Sequence, residues 1–160
     1  MPASPFRKPS MTLEAILAYL HLLAILTMVV FIASEASLCR VQWLNAAVVE
    51  RLAKVDLVYG IAAVAVLATG VARTWWGAKG TGWYWTNPLL HVKLTLFVII
   101  GMVSIFPTIT FIRWRKTLRA SGALPPKAEI ARTRKLVMIQ AHLLALIPLA
   151  AVFLARGFGK

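Results

Sequence analysis

Four stretches of this chain are long and apolar enough to cross the hydrocarbon of a bilayer: roughly Thr12–Ser37, Leu52–Ala72, Asn87–Phe111 and Lys135–Leu154. A spanning helix needs about 20 mostly apolar residues, and each stretch is bounded by charge, turn residues or both. A soluble domain has no use for four such segments. Composition agrees: 60% of the 160 residues are apolar and mean hydropathy is +0.77, against about 45–50% apolar in soluble domains. The expected fold is therefore all-α, an integral membrane bundle of four transmembrane helices with short connections. Residues 1–11 read as a polar, Pro-rich tail expected to be disordered, and residues 12–160 as the transmembrane domain. The first apolar run, Met11 to about Ala33, outlasts the roughly 7–15 residues of a signal-peptide core, so it reads as a retained helix.

The formal net charge is +13, which in a soluble protein would suggest a nucleic-acid partner. Here the basic residues flank apolar segments, most densely from Arg113 to Lys135. That placement suits anionic lipid headgroups and cytoplasmic loops, not nucleic acid. Counting Lys and Arg by side gives six with the termini and second loop against eleven with the first and third loops. The positive-inside rule then puts the first and third loops in the cytoplasm and both termini in the periplasm. A single cysteine, Cys39, excludes an intramolecular disulfide and any cysteine-based metal cluster.

Local signals add detail. Asn87-Pro88 marks a helix start, with Asn as N-cap and Pro at the first helical position. Pro107 and Pro148 fall inside spans three and four, where each removes a backbone hydrogen bond and is expected to bend the helix. Helix two is rich in small residues (Gly60, Ala62, Ala63, Ala65, Ala68, Gly70) and should pack closely against its neighbours. The second loop, RTWWGAKGTGWYWTNP, carries four Trp and a Tyr. These serve either as anchors at headgroup level or as the lid of a flat aromatic or haem-like ligand site.

An ionisable side chain inside a span is costly and so a functional candidate. The candidates are His21, His91, Lys93, His142, Glu35 and Asp56. At about 1.5 Å per residue, His21 lies roughly 9 Å and His91 roughly 5 Å inside the outer boundary, while His142 lies near 21 Å. His21 and His91 could meet at one level, either as ligands of a haem b iron or as a packing pair. Arg73, Lys79 or Lys93 would then face the propionates. Lys93 lies about 200° around the helix from His91, so the two point to different faces. Glu35 and Asp56, near Arg40, Arg51 and Lys54, suggest an ion-pair network tying helix ends together, with a proton relay as the alternative. Nucleophile-elbow, zincin and phosphate-loop motifs are absent from the sequence.

Two resemblances follow from particular strings. DLVYGIAAVAVLATGVARTWWGAKGTGWYWTNPLLHVKLTLFVIIGMVSIFPT, with the ending IPLAAVFLARGFG, resembles bacterial four-helix inner-membrane proteins of unknown function, from Met11 to Gly159. The first-helix histidine in YLHLLAIL, paired with LLHVKLTLFVIIG, is similar to the J-type protoporphyrinogen oxidases, small haem b membrane proteins. That likeness implies functional importance for His21 and Lys93, and the ATG ending at Gly70 resembles that family's Thr-Gly. The chain departs from the pattern after helix one, where it reads FIASEASLCR, and in its longer outer loop and added His142.

The functional expectation is an inner-membrane protein holding haem b between helices one and three, for electron transfer or porphyrinogen oxidation. His21 and His91 would bind the iron, Arg73 would help hold the cofactor, and Lys93 would be the catalytic residue. The alternative is a non-catalytic membrane subunit or scaffold of a larger complex; a homo-oligomer is compatible with either. A small transporter ranks below both, for lack of an inverted repeat.

Overall fold

The computed structural model describes residues 11–76 and 81–158. The expected disordered tail before Met11, and Lys79 as a propionate partner, lie outside the described residues. Among the described residues five helices follow in order: α1 (Met11–Leu38), α2 (Ala46–Trp76), the short α3 (Thr81–Trp85), α4 (Pro88–Ser121) and α5 (Lys127–Ala155). The four long ones each contain a segment apolar enough to cross a membrane. The all-helical membrane fold is as expected, with one added element, α3, inside the Trp-rich loop.

The helix bounds differ from the apolar spans in an informative way. α2 begins at Ala46 instead of Leu52, α4 continues past Phe111 to Ser121, and α5 begins at Lys127 instead of Lys135. Hydropathy detects only the part of a helix that lipid surrounds. The extensions are polar and are held by ion pairs between helices: Arg119 grips Glu50 through Nε and Nη2 at 2.6 and 2.8 Å, and Arg113 pairs with Glu129. α4 starts as its sequence dictates. The Asn87 side chain accepts from the Leu89 N–H at 2.9 Å, with Pro88 at the first helical position. It ends at Gly122, whose φ of 69° lets its N–H close back on the Leu118 carbonyl.

α1 packs along α2 and α4 along α5, and the two pairs join through α2 against α4 and α1 against α5. Among the described residues α1 does not reach α4, nor α2 reach α5. Four helices in such a ring leave space on their common axis wherever side chains do not fill it. They fill it at one end. Val49, Leu52, Cys39, Phe111, Trp114, Ile130 and Val137 are buried near the α1–α2 and α4–α5 turns, hereafter the basic end. Toward the Trp-rich loop, the aromatic end, α1 buries no side chain before Ala24.

The outward faces are apolar as well. On α2, Leu57, Ile61 and Val64 form an exposed stripe at helical spacing, opposite buried Asp56, Tyr59, Ala62 and Val66. A helix apolar on both faces belongs in lipid. Pro107 and Pro148 sit inside α4 and α5, both of which run on past them.

Candidate functional site

A cavity of about 660 Å³ opens among the helices at the aromatic end, within the roughly 300–1,000 Å³ range of small-molecule sites. Every helix contributes to its wall: His21 and Met28 from α1, Gly70 and Arg73 from α2, Tyr84 from α3, Lys93 and Phe97 from α4, and Pro148 from α5. Pro148 has no N–H to offer the Leu144 carbonyl one turn back, and both residues line this space. Most of the wall is apolar side chain, with a few polar groups converging on it.

His21 is the best-determined of these. Its Nδ1 lies 2.8 Å from Thr69 Oγ1. The Thr69 hydroxyl donates its only proton to the Ala65 carbonyl at 2.6 Å, so toward the imidazole its oxygen accepts. The ring proton is thereby assigned to Nδ1 and the lone pair to Nε2. Gly70 makes this approach feasible, since a Cβ there would stand 3.2 Å from His21 Cε1. Thr69-Gly70 thus works as a unit, one residue orienting the ring and the next giving it room.

Two cations share the cavity. Arg73 comes from the last turn of α2 and Lys93 from the second turn of α4. Among the described residues neither takes part in a salt bridge. Tyr84 lies beside them in α3. Burial pushes its hydroxyl above the usual phenol range and Glu14 adds to this, while the Arg73 guanidinium pulls the other way. An apolar hollow with an imidazole and two cations outside any salt bridge among the described residues suits an acidic, largely apolar ligand.

His91 does not join this group. Its side chain is exposed and its Nε2 lies 2.9 Å from the Trp85 carbonyl, with the ring against the Trp85 indole. This corrects the expected pairing of His21 and His91 at one iron. The reason is angular: of the two α4 residues about 200° apart, Lys93 faces the cavity and His91 turns out. His142 is also outside, exposed and bonded through Nδ1 to the Met138 carbonyl at 2.6 Å. The Trp-rich loop divides its work. Trp83 and Trp85 line the cavity, whereas Trp75 and Trp76 are about half exposed, as interfacial anchors are.

Among the described residues Glu35 and Asp56 take no part in a salt bridge, so the expected ion-pair network is not seen there. Glu35 is 1% exposed with its Oε1 unbonded, and Asp56 accepts a hydrogen bond from Thr108 of α4 at 2.8 Å. Arg40 instead stacks 4.9 Å over the Trp43 ring. Glu50 and Glu129, toward the helix ends, do form salt bridges, with Arg119 and Arg113. Sequence reasoning missed Thr108 and Gln140, the latter fully buried on α5 with both amide atoms unbonded. The available signal was a polar residue set among apolar ones on a spanning helix. Among the described residues no three side chains are grouped to hold a metal ion by themselves.

Fold and cavity together define a class: helical membrane proteins of four spans with a ligand-sized hollow between the helices. Within that class, the chain belongs to the family described as predicted membrane protein (DUF2214), which it matches over residues 13–159. The match bears on the first of the two resemblances read from the sequence, and not on the likeness to protoporphyrinogen oxidases. No curated protein and no solved structure matches the chain.

Proposed function

We propose that the aromatic-end cavity binds a planar, acidic, mostly apolar molecule, and that haem b or a porphyrinogen is the ligand. The observation that carries this reading is the convergence of His21, Arg73 and Lys93 on one hollow, with Thr69 fixing the imidazole so that Nε2 keeps its lone pair. A haem-ligating histidine commonly has its other nitrogen held in this way. The donor set fits a haem with one protein imidazole and not two, because His91 lies outside the cavity. Lys93 and Arg73 would take the carboxylates, and Trp83, Tyr84 and Trp85 would cover the face toward the headgroups. When bound, haem would supply one-electron redox chemistry, for electron transfer or porphyrinogen oxidation. The setting is the bacterial inner membrane, with the basic end in the cytoplasm and both termini periplasmic by the positive-inside rule.

The test is the oxidised and dithionite-reduced spectrum of protein purified in detergent. A Soret band that His21→Ala removes and His91→Ala leaves intact is the expected result. A featureless spectrum that added haem does not change would overturn the haem assignment. A stoichiometric protein partner copurifying without any such band would favour a non-catalytic subunit.

A further inference from the structure

A second cavity, of about 580 Å³, lies at the opposite end, between the α1–α2 turn and the first turns of α5. Arg40 and Gln42 line it from the turn, and Arg134 and Lys135 from α5; Val41, Ala131 and Met138 complete the wall. Three cations thus face one hollow.

Among the described residues no carboxylate forms a salt bridge with them. The two salt bridges among the described residues, Arg113 with Glu129 and Arg119 with Glu50, leave Arg40, Arg134 and Lys135 out. The Nε atoms of Arg40 and Arg134 are both buried and without a hydrogen-bond partner. A buried charged donor left unmade is costly, and native proteins rarely keep two side by side without an acceptor. Arg40 is also held in place: its guanidinium stacks on Trp43, an arrangement that fixes the planar fork for bidentate contact with an oxyanion. The turn itself is fastened to α5, where Cys39 Sγ approaches the Ile130 carbonyl at 3.9 Å. Lys135 stands where the apolar run of the fourth span begins and Met138 lies one turn further in. The hollow is basic at headgroup height and apolar just below it.

We propose that this cavity is a specific binding site for a phosphate group, gripped by Arg40, Arg134 and Lys135. Phosphate matches the fork geometry of two arginines better than a single carboxylate does. An anionic phospholipid headgroup or a soluble phosphate could bring that group, and basic pockets between spanning helices at the cytoplasmic face commonly take lipid headgroups. The site is separate from the aromatic-end cavity and does not depend on what that cavity binds.

The experiment uses the full chain, delipidated in detergent and titrated with short-chain phosphatidylglycerol, inorganic phosphate or short-chain phosphatidylcholine. Phosphatidylglycerol or inorganic phosphate should bind, and phosphatidylcholine, whose phosphodiester is offset by its own trimethylammonium, should bind far more weakly; whichever anion binds tighter identifies the source. Arg134→Gln and Arg40→Gln should each weaken that binding by about tenfold or more, the loss expected for one charge-assisted contact. Arg134→Lys should fall between wild type and Arg134→Gln, because it keeps the charge and loses Nε. Arg113→Gln, at a paired arginine outside the cavity, should bind as wild type does. If Arg134→Gln does not fold, Lys135→Gln reads the same site from an exposed position. Equal weakening by Arg113→Gln would show diffuse attraction to a basic surface and overturn the proposal. Unchanged binding in every cavity variant would overturn it too.

Discussion

The imidazole of His21 and the hydroxyl of Thr69 meet at 2.8 Å across the α1–α2 interface, with the Thr69 proton already committed to its own helix. That commitment makes Thr69 an acceptor toward the ring and gives Nε2 its lone pair. Thr69→Val should therefore strand the Nδ1–H. A stability loss of about 1–3 kcal/mol is expected, together with weaker ligand binding, while Thr69→Ser should retain both. Thermal denaturation in detergent alongside a haem titration checks this; a valine variant as stable and as competent as wild type would sink it.

Gly70→Ala sets two effects against each other. Alanine is preferred over glycine within a helix by about 0.8–1 kcal/mol, but its Cβ would stand 3.2 Å from His21 Cε1 and push the ring by a few tenths of an ångström. The helix gain offsets most of the crowding, so stability should change little. Ligand binding should suffer, because it depends on where the ring points. Separate measurements of melting temperature and affinity should show this split, and a parallel fall in both would contradict it.

Cys39 is fully buried, and burial pushes its thiol up to about 12 from an ordinary value near 9, with Glu35 adding to the rise and Arg134 opposing it. Folded protein in mild detergent should resist maleimide until denatured. Because the folded chain holds this proton more tightly than the unfolded chain, its contribution is constant below about pH 9 and declines toward about pH 12. Melting curves of wild type and Cys39→Ala should accordingly diverge as pH rises through that window, with wild type losing more. Curves that stay parallel would refute the assignment.

Asn87 has two tasks: it caps α4 at Leu89 and its Nδ2 donates to the Phe158 carbonyl at 3.1 Å. Asn87→Ala should cost about 0.5–2 kcal/mol for the cap, plus the lost tie to the C-terminal turn. Asn87→Ser restores the cap but is too short for Phe158, so the gap between Ser and Asn in a melting series reports the tie alone. Identical melting of the Ser and Ala variants would show that the cap contributes nothing.

How much of this was legible beforehand depends on what each residue contacts. The four spans and the Asn87 cap could be read because they follow from solvent and from local backbone chemistry. Placing His21 and Lys93 near the aromatic loop needed only depth along a helix. Which of His91 and Lys93 turns inward was not legible, since a helix apolar all round gives no rotational signal. The fate of Glu35 was hidden for a related reason. Arg40 is near it in sequence, but the chain turns between them and sends the guanidinium to Trp43.

The length of α4 has a practical consequence. Its 34 residues extend about 51 Å, whereas hydrocarbon is only about 30 Å thick. The surplus lies past Phe111, where the apolar run ends, and with the start of α5 it makes a helical hairpin tied by Arg113 to Glu129. That projection gives a small, lipid-embedded molecule a rigid handle in water. An antibody fragment raised against it would add mass in a fixed orientation, enough to align single-particle images of a 17.6 kDa chain.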